Sequence, residues 1–354
     1  MRTASVTREE RRDPPSTDAV AAAAAAALDR EVTGATRVHE GVNAVYRIEA
    51  ADGGRAALKT PLLPDDDAFL AEPEILSRVA RETAVPVPEV LAAVAADAGA
   101  LTGPFFLTQY VAGRPVDGVL ALSAAERERL VREAGRHLAA VHRLSVADGF
   151  GDLRAVDGGL TTSPGYDSWR EWFDKMAGEA AAGLNGAARV TDPDPRFADL
   201  EQTVGGAMTG DWSGDRRVAP AVLHNDYRPA NLVFTAESDA SPLVRAVLDF
   251  GGCVTGDGLL DLAHAEDALV DMPLGGTANA AALREGLRTA YVEERGLDPA
   301  VAFGKRYSRY RLYARIWRLR LFEYWVEFAR EDEADAVATR WRAFVRDRLA
   351  ESDG

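Results

Sequence analysis

Residues 223–231 read Leu-His-Asn-Asp-Tyr-Arg-Pro-Ala-Asn, and residues 248–251 read Leu-Asp-Phe-Gly. Between the two clusters lie apolar runs at 232–234 and 243–250, joined by the turn-rich stretch 237–242, which is the pattern of a β-hairpin. A hairpin returns the chain to its starting point, so the loop that brings Asp226 and Asn231 together also receives Asp249. Taken singly, Asp226 or Asn231 reads as an Asx residue making a turn hydrogen bond. A His-x-Asp-x-x-x-x-Asn loop answered one hairpin later by Asp-Phe-Gly does not reduce to turn chemistry.

The spacing is that of the catalytic loop and metal-binding turn of protein kinases. Phosphoryl transfer to an alcohol needs a carboxylate to orient the hydroxyl and accept its proton, and oxygen ligands to hold Mg²⁺ against the triphosphate of ATP. In this reading Asp226 is the base, Asn231 offers its amide oxygen to one metal ion, and Asp249 bridges the metals and the phosphates. His224 is given a scaffolding role on the backbone near Asp249, because a neutral imidazole is a poor Mg²⁺ ligand.

Such a site also needs a cation on the α- and β-phosphates, held by a carboxylate on a neighbouring helix. Lysine occurs only at Lys59, Lys175 and Lys305, in a chain that uses arginine nearly everywhere else. A compact ammonium cannot be exchanged for a planar guanidinium in a tight phosphate site, which gives Lys59 a reason to be lysine. Its expected partner is Glu72, with Glu74 the other carboxylate within reach. The stretch from His39 to Tyr46, with Gly41 and Asn43, is read as the phosphate-covering loop, although it has one glycine where protein kinases have three. Gln109 to Val111, just before Gly113, is read as the hinge whose backbone pairs with adenine.

Around these residues the periodicity changes along the chain. Residues 42–48 and 55–59 alternate apolar and polar across Ala51-Asp52-Gly53-Gly54 and predict a hairpin. A helix is expected at 67–82, then, past Pro86 and Pro88, a strand-like run and a strand pair at 101–111. From the capping box at Ser123 and Glu126 onward the pattern is helical: to about 144, then near 168–179, 196–207, 259–270, 278–296 and 300–328. Only the 232–250 hairpin is expected to interrupt it. The expected divisions are 1–30, a tail with an alanine-rich helix capped near Ser16, Thr17 or Asp18; 31–112, a small sheet carrying one helix; and 113–354, a helical body. This is an α+β, bilobal arrangement.

The formal charge of −15 and a pI near 4.9 argue against nucleic acid or an anionic membrane as partner. The acid-rich, lysine-poor pattern resembles that of a salt-adapted, high-GC proteome, in which acidity keeps the whole surface soluble and says little about substrate. The single cysteine, Cys253, excludes an intramolecular disulfide, and no Cys/His spacing resembles a zinc site. No apolar run reaches the length of a membrane span, and the mixed charges before Ala21 do not make a secretory signal. A cytoplasmic protein is expected.

The chain resembles the aminoglycoside phosphotransferase and choline kinase-like family, whose fold is protein-kinase-like. The resemblance spans about residues 31–330 and rests on Gly41-x-Asn43, Lys59, Glu72, Val85-Pro86-Val87-Pro88, Gln109 to Gly113, the loop 224–231 and the run 248–263. It implies ATP and Mg²⁺ as cofactors and a small-molecule hydroxyl acceptor such as an amino sugar or a choline-like alcohol. It also implies that Gly256-Asp257 and Asp261-Leu262-Ala263 buttress the catalytic loop. Asn225 stands where protein kinases have arginine, and Gly256-Asp257 follows Asp249 too closely for a phosphorylatable activation loop. The other reading is a nucleotide-binding, pseudokinase-like module that transfers nothing. For the acceptor, the segment 305–330, with Tyr310, Tyr313, Trp317, Phe322, Tyr324, Trp325, Phe328, Glu323 and Glu327, reads first as a core helix with a solvated charged face. The second reading is an aromatic and acidic pocket wall, to which Trp169, Glu171, Trp172 and Asp174 contribute.

Overall fold

The structure is a computed structural model, and it describes residues 12–39, 43–63, 68–95, 100–114, 116–156, 159–186, 193–209, 218–237, 242–326 and 331–352. In the N-terminal part five strands, β1 (Val32–His39), β2 (Asn43–Ala50), β3 (Arg55–Pro61), β4 (Val90–Val94) and β5 (Phe105–Gln109), form one antiparallel sheet in the order β1-β2-β3-β5-β4. Strand alternation divides its residues between two faces. Ala44, Tyr46 and Ile48 of β2 and Ala56 and Leu58 of β3 are buried under α1 (Thr17–Leu28), against Val20, Ala23 and Ala24. Lys59, one residue past Leu58, therefore points to the opposite face, toward α2 (Ala71–Glu82).

Helix α1 starts because the Ser16 side chain accepts the Ala19 N–H, and it runs on alanine, the best helix former. It covers the sheet and is further tied to it by the Tyr46 hydroxyl, which donates to Pro15 O at 2.6 Å. The expected hairpin is β2–β3. Strand β1 is an addition, and the expected strand pair at 101–111 is a single strand, β5, which pairs with β3 and β4. Leu101 makes only an isolated bridge there.

The remainder is mostly helical: α3 (Ala124–Val141), α4 (Trp169–Ala182), α5 (Glu201–Met208), α6 (Gly258–Glu266), α7 (Met272–Leu274), α8 (Ala280–Arg295), α9 (Pro299–Ala302), α10 (Lys305–Leu319), α11 (Phe322–Val326) and α12 (Glu331–Ser352). The predicted capping box is formed: Ser123 Oγ accepts the Glu126 N–H, and Glu126 Oε2 accepts the Ser123 N–H. Glu126 also takes Arg114 Nη2 at 2.6 Å, which ties the chain leaving the sheet to the start of α3. Gly113 fits there for lack of a side chain, since a Cβ would stand 2.4 Å from Phe234 O.

Three expectations for this part are corrected. Besides the hairpin β9–β10 (Leu232–Phe234, Val244–Val247), there is a four-stranded sheet β7-β6-β11-β8 made of β6 (Gly151–Val156), β7 (Gly159–Thr162), β8 (Ala221–Leu223) and β11 (Val254–Gly256). Strands of three to six residues leave too little alternation to read. The helix expected at 300–328 is broken into α9, α10 and α11, with Gly304 extended at the first break. Within it, α10 has no solvated charged face: Arg311, Arg315 and Arg318 are buried. They pair with Glu266, Asp267 and Asp271 at the end of α6 and in the π-helical turn that follows it, at 2.6–3.0 Å. The expected residues Glu327 and Phe328 lie outside the described residues.

Candidate active site

Strand alternation on β3 and the amphipathic spacing of α2 bring Lys59 and Glu72 together, with Nζ and Oε2 2.6 Å apart. The same ammonium contacts Asp249 Oδ1 at 2.7 Å, joining residues 190 positions apart across the two lobes. Glu72 is the partner that the alternatives left open, since Glu74 instead meets Arg78 on its own helix at 3.4 Å. Glu72 is buried, whereas Asp249 keeps 47% of its side-chain surface open to the cleft. The Lys59 ammonium holds the Asp249 carboxyl down to about 2, against the opposing effect of burial. Burial works to lower the Lys59 pKa, but the charges of Asp249 and Glu72 outweigh it and raise it. For Glu72 burial wins and its pKa is raised.

Asp249 adopts a left-handed backbone, φ 63°, ahead of the short turn at Phe250–Gly252. Gly251 leaves room there for the Glu72 carboxylate, since a Cβ would stand 2.8 Å from Oε2.

The loop after β8 is held from below. Asp261, fully buried on α6, accepts the N–H of His224 at 2.6 Å and of Asn225 at 2.9 Å, and lies 3.0 Å from His142 Nε2. Burial pushes its carboxyl up, but the His142 hydrogen bond, with the charges of His142, His224 and His264, outweighs this and holds it below the usual range. Asn225, at φ 65°, is thereby fixed in a left-handed conformation that Asn tolerates better than most residues. Histidine 224 links loop and turn: Nε2 lies 2.9 Å from Leu248 O, and Nδ1 accepts the Asp226 N–H at 3.3 Å. That pair of bonds assigns the proton to Nε2, and the ring packs 4.5 Å from Phe250. Its expected scaffolding position is therefore observed.

Asn231 turns its amide nitrogen to Asp226, donating to both O and Oδ2 at 2.9 Å, so that its amide oxygen faces away. Arg228 Nε also donates to Asp226 Oδ2 at 2.9 Å. Both side-chain donors converge on Oδ2, and Oδ1 has no hydrogen-bond partner among the described residues. At the hinge, the Gln109 N–H is taken by Glu89 O and the Tyr110 N–H by Arg55 O. The Val111 N–H has no partner among the described residues. Asn43 begins β2 opposite Pro61, while Gly41 lies outside the described residues. The arrangement thus joins Lys59 to Glu72 and Asp249, and Asp226 to Asn231, whose backbone carbonyl accepts the Leu248 N–H next to Asp249.

A model of the phosphotransferase enzyme family matches residues 34–300. The chain belongs to that family. This phosphotransferase is accordingly an enzyme that acts on the hydroxyl group of a small molecule. No curated protein sequence matches it. Among solved structures it is similar to a candidate aminoglycoside phosphotransferase from Ralstonia eutropha, with 16% identity over 95% of this chain and 98% of that one and a TM-score of 0.65. A candidate fructosamine-3-kinase from Thermobifida fusca shares 22% identity over 95% and 99%, with a TM-score of 0.55. A thermostable mutant of aminoglycoside phosphotransferase APH(4)-Ia, in ternary complex with ADP and hygromycin B, shares 18% identity over 89% and 94%, with a TM-score of 0.58. At these identities the likeness is one of fold, and the fold is protein-kinase-like.

Asp261 supports the loop as the resemblance implied, but the sequence reading missed His142 behind it, and it missed Arg228. His142 lies more than eighty positions before the loop it supports, and nothing in its local pattern sets it apart from a core histidine. Arg228 was in view inside the motif, but its contact with Asp226 follows only from the loop conformation. Among the described residues no helix is long and apolar enough to cross a membrane.

Proposed function

We propose that this phosphotransferase moves the γ-phosphoryl group of ATP to a small-molecule hydroxyl, with Mg²⁺ held at Asn231 and Asp249. The observation that carries the reading is the Lys59 ammonium, 2.6 Å from Glu72 and 2.7 Å from Asp249. It places a rigidly supported cation beside a cleft-facing carboxylate, as a metal-bound triphosphate requires.

The donor set fits Mg²⁺. It consists of the open Asp249 carboxylate and the outward amide oxygen of Asn231, hard oxygen donors that leave positions for water and phosphate. Among the described residues no group of three or more His, Cys, Asp or Glu side chains forms a metal centre, and this set, with its amide, is not of that kind. When bound, the ion would neutralise charge on the transferring phosphoryl group.

The remaining work falls to side chains of the chain. Gln109 O and Val111 N–H present the acceptor and donor of the hinge to adenine. Lys59 takes the α- and β-phosphates. Asp226 Oδ1, free while Oδ2 is held by Asn231 and Arg228, orients the acceptor hydroxyl and receives its proton as the oxygen attacks phosphorus. A panel of amino sugars and small alcohols, scored by ADP release with and without Mg²⁺, tests the reading. Acceptor-dependent ADP release that is lost on Asp226→Asn supports it. ATP binding with no acceptor-dependent turnover across the panel, or turnover unchanged by that substitution, refutes it.

A further inference from the structure

We propose that Arg154 and Thr161 form a binding site for a single oxyanion, a phosphate, sulfate or carboxylate group, on the hairpin β6–β7. The two residues are directly paired across the antiparallel ladder. Directly opposed residues share a face of the hairpin, so both side chains leave the ladder on the same side. Arg154 is only 5% exposed, and its Nη1 is buried without a hydrogen-bond partner. It makes no ion pair or ring contact with any described residue. The buried arginines of α10 differ in kind, since each of Arg311, Arg315 and Arg318 meets a carboxylate.

A guanidinium cannot escape burial by losing its proton, because it keeps its charge in proteins. Leaving such a charge buried and uncompensated is strongly unfavourable, so an unpartnered buried arginine calls for an anion from outside the fold. Asp152, two residues along on the same face, lies in the field of Lys175, whose pKa it helps to raise after the larger effect of the Tyr166 hydroxyl. On the other flank the Leu153 N–H donates to Cys253 O at 3.4 Å. Thr161 is exposed, so the site opens on its side. One cation and one hydroxyl donor suit one oxyanion. The site stands on the hairpin alone and does not depend on the nucleotide reading. The ion is either free or carried by the acceptor, since β6 pairs with β11, the strand that leaves the Asp249 turn.

The test is thermal unfolding of the full chain with increasing sulfate, at ionic strength held constant with chloride. MgADP is present to fill the phosphate end of the cleft, and a parallel series uses Lys59→Met in case nucleotide does not bind. Wild type should gain several degrees and saturate. Arg154→Met should melt higher than wild type without sulfate and show no saturable response, and Thr161→Val should bind sulfate about ten-fold more weakly. Three outcomes overturn the proposal: equal stabilisation of wild type and Arg154→Met, which is general salting-out; no response in either; or a lower melting point of Arg154→Met in sulfate-free buffer, which shows that the chain supplies the partner. The source is then read from KM. A rise in Arg154→Met for acceptors bearing phosphate or carboxylate, and for no others, assigns the anion to the acceptor; equal KM values assign the site to a free ion.

Discussion

Replacing Gly251 by alanine should weaken nucleotide use while leaving Lys59, Glu72 and Asp249 themselves unchanged. Its φ lies outside the left-handed region, so the substitution adds a Cβ and little backbone strain. That Cβ would stand 2.8 Å from Glu72 Oε2, where ordinary contact begins at 3.4 Å. Glu72 is buried, and its carboxylate can yield only by moving away from the turn. A retreat of about 0.6 Å would stretch the 2.6 Å bond to Lys59 to about 3.2 Å, the outer edge of a good N–H···O bond. A hydrogen bond between charged groups contributes about 1.5–3 kcal/mol, so losing half of it costs about 1 kcal/mol. That corresponds to about a five-fold fall in kcat/KM for ATP. Steady-state ADP release with ATP varied measures it, and thermal unfolding should show at most about 1 kcal/mol of lost stability. Wild-type kinetics in Gly251→Ala would refute the claim that the Glu72–Lys59 contact positions the phosphates. A fall in kcat/KM matched by general unfolding would refute the local origin of the effect.

Asp226→Asn should lower turnover by about 10² to 10⁴-fold while nucleotide affinity, read by calorimetry, stays within a few-fold. Asp261→Ala strands three buried donors, each costing about 1–3 kcal/mol, and should remove most of a stability of about 5–15 kcal/mol in urea unfolding. Asp261→Asn keeps one acceptor and should lose less, so equal losses in the two variants would contradict the bonding described. The pH dependence follows from two histidines held neutral mainly by burial, His137 down to about 4 and His264, with Arg318 also opposing its charge, down to about 3. Their folded pKa values lie below the unfolded value of about 6.5, so the unfolded chain binds more protons as the medium is acidified. Stability should therefore fall by up to about 2.7 kcal/mol per pH unit between pH 6 and pH 4. Urea midpoints that do not change between pH 7 and pH 4 would contradict this. The Asp249 contribution, by contrast, is present above the unfolded value near 4 and is lost only as pH falls through about 2.

Local chemistry was legible wherever it is short in range. The capping box at Ser123 and Glu126, the cap at Ser16, the hairpin β2–β3 and the 232–250 hairpin each depend on residues a few positions apart, and each formed as expected. So did the gathering of Asp226, Asn231 and Asp249, because loop and turn are joined by that one hairpin. Lys59 stood out by being lysine among arginines. The resemblance implied that Asp261 supports the loop, as it does, but the sequence did not determine the choice of Glu72 over Glu74, the burial of Arg311, Arg315 and Arg318, or the part of His142 behind Asp261. Each depends on which helix face meets which strand, and residues 37 to 119 positions apart in the chain must first be brought into contact. A charge on a helix reads as solvated until a carboxylate on another helix is packed against it; only the assembled tertiary structure supplies that partner.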